Sequence, residues 1–426
     1  MEHSLALRGL SALGLCLMIG LAWALSENRR CVRWRLVAWG VGLQFALGLL
    51  VLRTHAGRVF FEWVKAAFDL LTESSGRGAE FVFGNLSRVF ILEQVLTPGA
   101  DGAMVPEAPF VVSAVVAFKV LPVIIFVAAL AAILQHLGVI QALVRGMAWL
   151  MRRTMKTSGA ETFGTALLVF GGIESLSALR GYLKDMTRSE LFTLMTAFLA
   201  TIAASVMVAY ATFGASPGHL LAASLMSAPA AVAMAKMLVP ETETPPTSGA
   251  ARVEIPLDSH NVFDAAAQGA GVGLNMALHV GAMLIVFVGL IYLFDKASVA
   301  LTSRTIAELA GWIMRPFAWV MGVPWRDVPE VARLLAVKSV FNEFIAYSEL
   351  QPIIAEQAVS RRGITIATYA LCGFANPGSL GIMIGGISAL APERRSEVAA
   401  LSVKAFIGGT LAAFMTACVA GVLISE

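Results

Sequence analysis

The side chains of this sequence most able to do chemistry sit in short polar interruptions of long apolar runs. Glu343 lies in the segment Leu334–Ile354, within Asn342-Glu343-Phe344-Ile345-Ala346-Tyr347. An ionisable group inside a membrane segment is expensive and marks function by default. A carboxylate there must be paired, hydrogen-bonded or protonated. Asn342 beside it offers both a donor and an acceptor, so the pair could grip a polyhydroxyl group. The competing reading is a carboxylate satisfied by a buried cation, for which Lys338 is the candidate. Glu174, in Gly171-Gly172-Ile173-Glu174-Ser175, is the natural counterpart of Glu343. It could equally cap a helix N-terminus, which favours negative charge, and the two roles are compatible. In Asn376-Pro377-Gly378-Ser379, Pro377 has no N–H to donate and Gly378 tolerates unusual dihedrals. Asn376 and Ser379 would then face freed backbone groups, a setting for a polar ligand; a plain proline kink is the alternative. Thr201 is a weaker signal, since a Thr in an apolar helix usually bonds its own backbone. His136 and His279 have no second ligand in view and are assigned to packing.

The elements that must position these groups are set by composition. The 426 residues are 58% hydrophobic and 14% charged, with a mean hydropathy of +0.78. A soluble chain carries about 25% charged residues. Charge-free spans such as Val120–Val144, Leu191–Ala235, Ala265–Phe294, Gly363–Ala391 and Ala405–Ser425 are each long enough to cross ~30 Å of hydrocarbon. The chain is therefore expected to be an all-α polytopic membrane protein. A net charge of +3 with no basic cluster argues against nucleic acid as a partner. Four cysteines, Cys16, Cys31, Cys372 and Cys418, show neither metal spacing nor a disulfide framework. No phosphate-cradling Gly-rich loop with Lys-Ser/Thr and no His-Glu-x-x-His motif is present, so no enzyme is expected.

Along the chain, apolar runs at Gly9–Leu25 and Leu36–Leu52 flank a basic loop with Arg29, Arg30, Arg33 and Arg35. The excess of positive charge places that loop in the cytoplasm. An amphipathic helix is expected around Val59–Leu71, and residues 1–110 form an N-terminal unit. Residues 111–240 then hold a span (Val111–Gln135), an interfacial helix with Arg145, Arg152, Arg153 and Lys156, and a segment Thr162–Leu179 interrupted by Gly171-Gly172. That segment is either a re-entrant hairpin or one ordinary transmembrane helix. Two crossings follow in Leu191–Ala235, broken near Gly214–Gly218. After a polar cytoplasmic linker at 241–260, residues 261–426 repeat the pattern: a span, an amphipathic stretch (Thr302–Met321), a segment broken at Asn342-Glu343, and two further spans. Paired interrupted segments in two halves point to a transporter's substrate site. The count is eight transmembrane helices plus two re-entrant hairpins in an inverted repeat.

At these residues the sequence resembles the concentrative nucleoside transporters, over nearly its whole length. The matching stretches include Gly42-Leu43-Gln44-Phe45, Phe118-Lys119-Val120-Leu121-Pro122, Ser158-Gly159-Ala160-Glu161, Met186-Thr187-Arg188-Ser189-Glu190-Leu191, Ser227-Ala228-Pro229-Ala230, the Asn342–Tyr347 motif, Thr368–Asn376 and Gly385–Arg395. The resemblance implies a multi-pass inner-membrane homotrimer with an elevator-like transport domain, importing nucleosides with a sodium or proton gradient and using no cofactor. It implies that Glu343 and Asn376, with Ser379 and Asn342, bind ribose hydroxyls, and that the first hairpin tip (Gly172, Ile173, Glu174) reads the base. Here the chain departs from the family, whose tip is Gly-Gln-Thr-Glu-Ala-Pro against Gly171-Gly172-Ile173-Glu174-Ser175-Leu176. The family's sodium-ligand Asn falls at Leu167 or Leu168, while Thr201 and Ile202 still match the other side of that ion site. At the second hairpin-facing break, the family's Phe-Ser-Ser is Pro377-Gly378-Ser379. Three functions follow as expectations: a nucleoside symporter, with proton favoured over sodium; a carrier of another ribose-like or polyhydroxylated solute; or a transport-dead homologue acting as a receptor.

Overall fold

Helix dominates among the described residues, as hydrocarbon requires of peptide groups that must pair within their own segment. The computed structural model describes residues 2–87, 96–98, 104–106, 116–246 and 259–424. Residues 111–115 of the expected third span and 247–258 of the expected linker lie outside them. A small antiparallel ribbon pairs Leu96–Pro98 with Met104–Pro106.

The first crossings are α1 (Glu2–Ala24) and α2 (Trp34–Arg53). Next comes α3 (His55–Phe83), which continues well past Leu71 through Ser74-Ser75-Gly76 because Ser75 and Ala79 are buried. α4 (Val116–His136) and the amphipathic α5 (Val139–Met155), which buries Val144, Met151 and Met155, lead to the first interruption. There α6 (Gly159–Gly171) ends at Gly172, and the chain returns through a 3-10 segment, Ile173–Leu179, and the single turn α7 (Arg180–Leu183). The two arms lie on each other: a Cβ added to Gly164 would stand 2.5 Å from Leu179 Cδ1. The segment is thus a hairpin. One crossing then consists of α8 (Arg188–Ala200) and α9 (Ala204–Thr212), and α10 (Pro217–Leu238) forms the next. The turn before Pro217 was expected; the break at Thr201-Ile202-Ala203 is additional.

The second half repeats this order. α11 (Val262–Thr302) and α12 (Ile306–Val320) precede a hairpin of α13 (Val328–Val340) and α14 (Glu343–Ala355). α15 (Arg361–Leu371) and α16 (Pro377–Leu390) form a second broken crossing, and α17 (Arg395–Leu423) closes the repeat. Among the described residues, seven stretches are long and apolar enough to cross a bilayer. The α15–α16 pair supplies the eighth crossing, the second of the three in the second repeat.

Small residues set the closest approach between helices. A Cβ on Gly273 of α11 would stand 2.7 Å from Ile125 Cα of α4, and one on Gly269 would stand 2.6 Å from Ala132 Cβ. Such close backbone contact is how membrane helices gain packing where lipid offers no hydrophobic drive. Polar anchors hold the rest. The final carbonyls of α17, which have no partner within the helix, accept from Arg8 Nε (Val422, 2.7 Å), Arg53 Nε (Leu423, 2.5 Å) and Arg362 Nη2 (Gly421, 2.7 Å). At the base of the first hairpin, Lys236 of α10 is buried and pairs with Glu161 (2.7 Å) and Glu241 (3.1 Å), and donates to Ser189 (3.0 Å). Ser158 and Thr187 cap α6 and α8 in reciprocal boxes with Glu161 and Glu190, and Ser158 donates to Glu190, tying the two caps together.

Removing one member of a buried ion cluster strands the others, at a cost of about 3–5 kcal/mol. Lys236→Met should therefore lower the thermal unfolding midpoint of the detergent-purified protein sharply. A midpoint equal to that of the unaltered protein would mean that Glu161 and Glu241 do not depend on this cation.

Candidate functional site

Two helix N-termini open onto one cavity, and asparagine caps both. Asn342 Oδ1 accepts from the Ile345 amide at 2.8 Å and starts α14; Asn376 Oδ1 accepts from the Ser379 amide at 2.8 Å and starts α16. A side-chain oxygen in that place satisfies an amide that the first turn leaves orphaned. Pro377 fits the first helical position because its missing N–H would have had no partner there.

Glu343, the first residue of α14, is 6% exposed and receives two hydrogen bonds. Asn376 Nδ2 donates to its Oε2 at 2.5 Å, and the Tyr210 hydroxyl of α9 donates to its Oε1 at 2.7 Å. Tyr210 is fixed in turn by stacking on Tyr347 (centroids 4.5 Å apart, 18° between planes) and by an edge contact with Phe344. Tyr347 donates to the Thr368 carbonyl at 2.9 Å. Lys338 does not serve the carboxylate: its ammonium donates to the Ala370 carbonyl at 2.8 Å, and no ion pair joins it to Glu343 among the described residues. The competing reading, a carboxylate satisfied by Lys338, finds no direct contact between the two. The hairpin's return arm carries Glu343 one helix away from the α13 lysine. A carboxylate has about four lone-pair sites. Two are taken by these side chains, and the carboxylate keeps acceptor capacity beyond them.

A cavity of about 480 Å³ brings together Gly172, Ile173 and Glu174 from the first hairpin, Asn342 and Glu343 from the second, and Asn376 and Ser379 from α16. All the residues expected at the substrate end therefore line one space. The remaining wall is mainly apolar: Phe198, Phe344, Phe374, Met276, Phe287 and Ile382. Gly172 turns the tip with φ +66°, and Ile173 packs on α16 within 2.7 Å of where a Cβ of Gly386 would stand. Glu174 is exposed to this cavity and to a second one of about 290 Å³, which Leu167 also lines. Thr201 and Ile202 do not line the main cavity. They form the α8–α9 break, where the Thr201 hydroxyl donates to the Ala197 carbonyl at 2.8 Å and the Ile202 carbonyl accepts from Ser224 at 3.4 Å. Leu167 and Leu168 are both buried. His136 bonds Ser259 at 2.8 Å beside the smaller cavity. No group of three or more His, Cys, Asp or Glu among the described residues could hold a metal ion.

Sequence reasoning missed Tyr210, because a tyrosine in an apolar helix resembles core. It also assigned His279 to packing, whereas His279 lines the main cavity from α11. The signal available for both was a polar tip inside an otherwise apolar crossing.

Paired hairpins and paired broken crossings around a buried carboxylate define a membrane carrier built on inverted repeats. Three family models match the chain: the Na+ dependent nucleoside transporter N-terminus over residues 13–86, a nucleoside recognition Gate over 117–217, and the Na+ dependent nucleoside transporter C-terminus over 219–421. Solute carrier family 28 member 3 of Mus musculus is 39% identical over 96% of this chain and 58% of its own length. The chain thus spans less than two thirds of that relative. The structure of CNTnw in an inward-facing substrate-bound state is 37% identical, covers 97% of this chain and 98% of that one, and superposes with a TM-score of 0.88. A doubly substituted CNTnw in an outward-facing state gives 0.87 at 35% identity, over 98% of this chain and 97% of that one. The chain belongs to the concentrative nucleoside transporter family.

Asn376 has two separable duties. Asn376→Ala removes the cap of α16, worth about 0.5–2 kcal/mol, together with a donor to Glu343. Asn376→Ser keeps a capping oxygen and loses only that donor. The Ala variant should unfold at lower temperature than the Ser variant in differential scanning fluorimetry; equal midpoints would show that the cap contributes nothing.

Proposed function

We propose that this protein imports nucleosides across the membrane by cation symport. The observation that supports this reading is the Glu343 carboxylate, oriented by Tyr210 and Asn376 with acceptor sites to spare, in a cavity whose other walls are mainly apolar and aromatic. Adjacent hydroxyls of a ribose are a pair of donors matched to those sites. A planar base suits the phenylalanine-lined remainder. Asn342 and Ser379 stand beside the carboxylate, and Glu174 with Gly172 and Ile173 closes the tip. Transport proceeds by alternating access, with the hairpins and broken crossings carrying the site past α4 and α11. The likeness to CNTnw in inward- and outward-facing states supports that motion. A homotrimer is the assembly the family suggests.

For the driving ion we favour protons over sodium, although the family models carry a Na+ dependent description. Hard cations are held by several oxygen ligands. Where the family supplies an amide oxygen, this chain buries Leu167 and Leu168, and the Thr201 hydroxyl is engaged by its own helix. Carboxyl groups on the cavity, Glu174 and Glu343, can carry a proton without an ion cage.

Glu343→Gln keeps the shape and loses the charge. Hydrogen bonds to charged groups contribute about 1.5–3 kcal/mol, so nucleoside affinity should fall roughly tenfold or more. Undiminished uptake by a normally expressed Glu343→Gln protein would remove the ribose-site assignment. Free bases without ribose should compete poorly against radiolabelled nucleoside. Proteoliposomes given a pH gradient without sodium should concentrate nucleoside. Accumulation driven by sodium alone at fixed pH, and not by protons, would overturn the proton assignment.

A further inference from the structure

One wall of the cavity carries polar groups that the ribose end does not use. Between Gly271 and Phe294, α11 is apolar except for Asn275, His279 and Tyr292. The first two of these line the cavity. The rotation of α11 is fixed by its glycine face: with Gly269 and Gly273 pressed on α4, no side chain fits there. The helix therefore turns Val272, Met276, His279 and Met283 to the cavity. The same face reaches the Glu343 end, because Met283 Cε lies 2.9 Å, and Phe287 Cε2 3.4 Å, from where a Cβ of Gly378 would stand.

The chemistry of His279 is set by its neighbour one turn back. Its Nδ1 lies 2.7 Å from the Asn275 carbonyl oxygen. A carbonyl only accepts, so Nδ1 carries the proton, and in the neutral ring Nε2 is an acceptor. Across the cavity the hairpin tip offers Gly172 and Ile173, neither of which has a side chain that can bond a base edge, and the carboxylate of Glu174, which is shared with the second, smaller cavity. A polar ring placed in a membrane-spanning helix and facing a binding cavity is a functional group by default.

We propose that His279 is the specificity-determining residue for the base: its Nε2 accepts an N–H from the edge of the nucleobase. This rests on the nucleoside reading of the same cavity. A single acceptor does not distinguish an imide N–H of a pyrimidine from an exocyclic amine of a purine, so many bases qualify. It does reject nucleosides whose edge lacks such a donor. A site that offers a buried hydrogen-bond partner discriminates against analogues that leave it unpaired.

The test uses the full-length protein in proteoliposomes. Uridine is compared with N3-methyluridine, and adenosine with purine riboside, as competitors of labelled uridine uptake. The unaltered protein should prefer the N–H-bearing member of each pair by about tenfold. His279→Leu should level both ratios by weakening uridine and adenosine, and His279→Gln, which keeps an acceptor, should restore part of the preference. Ratios unchanged in His279→Leu overturn the assignment, as does loss of all four competitors in both variants, since a base contact should leave ribose binding in place. Nucleoside uptake by the unaltered protein with no preference in either pair sinks His279 alone. Absence of any nucleoside uptake by the unaltered protein refutes the transport function on which it rests.

Discussion

A peptide group left unpaired in hydrocarbon costs several kcal/mol, and this chain interrupts its helices repeatedly inside the bilayer. Everything at the site follows from how those interruptions are satisfied. At the α13–α14 and α15–α16 breaks the cap is an asparagine, whose oxygen satisfies one amide and leaves the amide nitrogen to donate elsewhere. Asn376 uses that nitrogen to hold Glu343. Asn342, next in sequence to the carboxylate, uses its oxygen to begin α14. The groups that make broken helices tolerable are thus the groups that could bind a solute.

Around that centre the architecture separates rigid support from polar machinery. α4 and α11 meet along glycine and alanine. The Lys236 cluster ties the base of the first hairpin to α8 and α10, so the hairpin is joined to its neighbouring crossings by charge as well as by packing. At the other end, arginines from α1, α2 and α15 gather the last turn of α17.

Much of this was legible in the sequence, for a physical reason. Polar residues within runs such as Leu334–Ile354 have no inexpensive explanation in a membrane, so Asn342, Glu343 and Asn376 announced themselves, and all lie on one cavity. The residues that stayed hidden were those whose chemistry looks like packing. Tyr210 is mostly ring, and only its hydroxyl reaches Glu343. The α8–α9 break at Thr201-Ile202-Ala203 contains neither glycine nor proline, so nothing local marks it. α3 outran its expected end because burial of Ser75 and Ala79 overrode the helix-weakening Gly76 and Gly78. Lys338 was near Glu343 in sequence, but the intervening turn sends the two side chains to different partners.

The first hairpin tip bears on how such a carrier could be altered. Gly172 holds φ +66°, and a Cβ there would come within 3.1 Å of Glu174 Oε2 and 3.3 Å of Ala203 Cβ. The positions of this tip are consequently not independent letters. A glutamine at Gly172 cannot be introduced by one exchange without strain, because the left-handed φ there disfavours any side chain. Any preference that depends on this tip therefore changes with the turn itself and not by one side chain alone. Changing that preference by small steps is open only on walls that are regular helix, such as the cavity-facing side of α11.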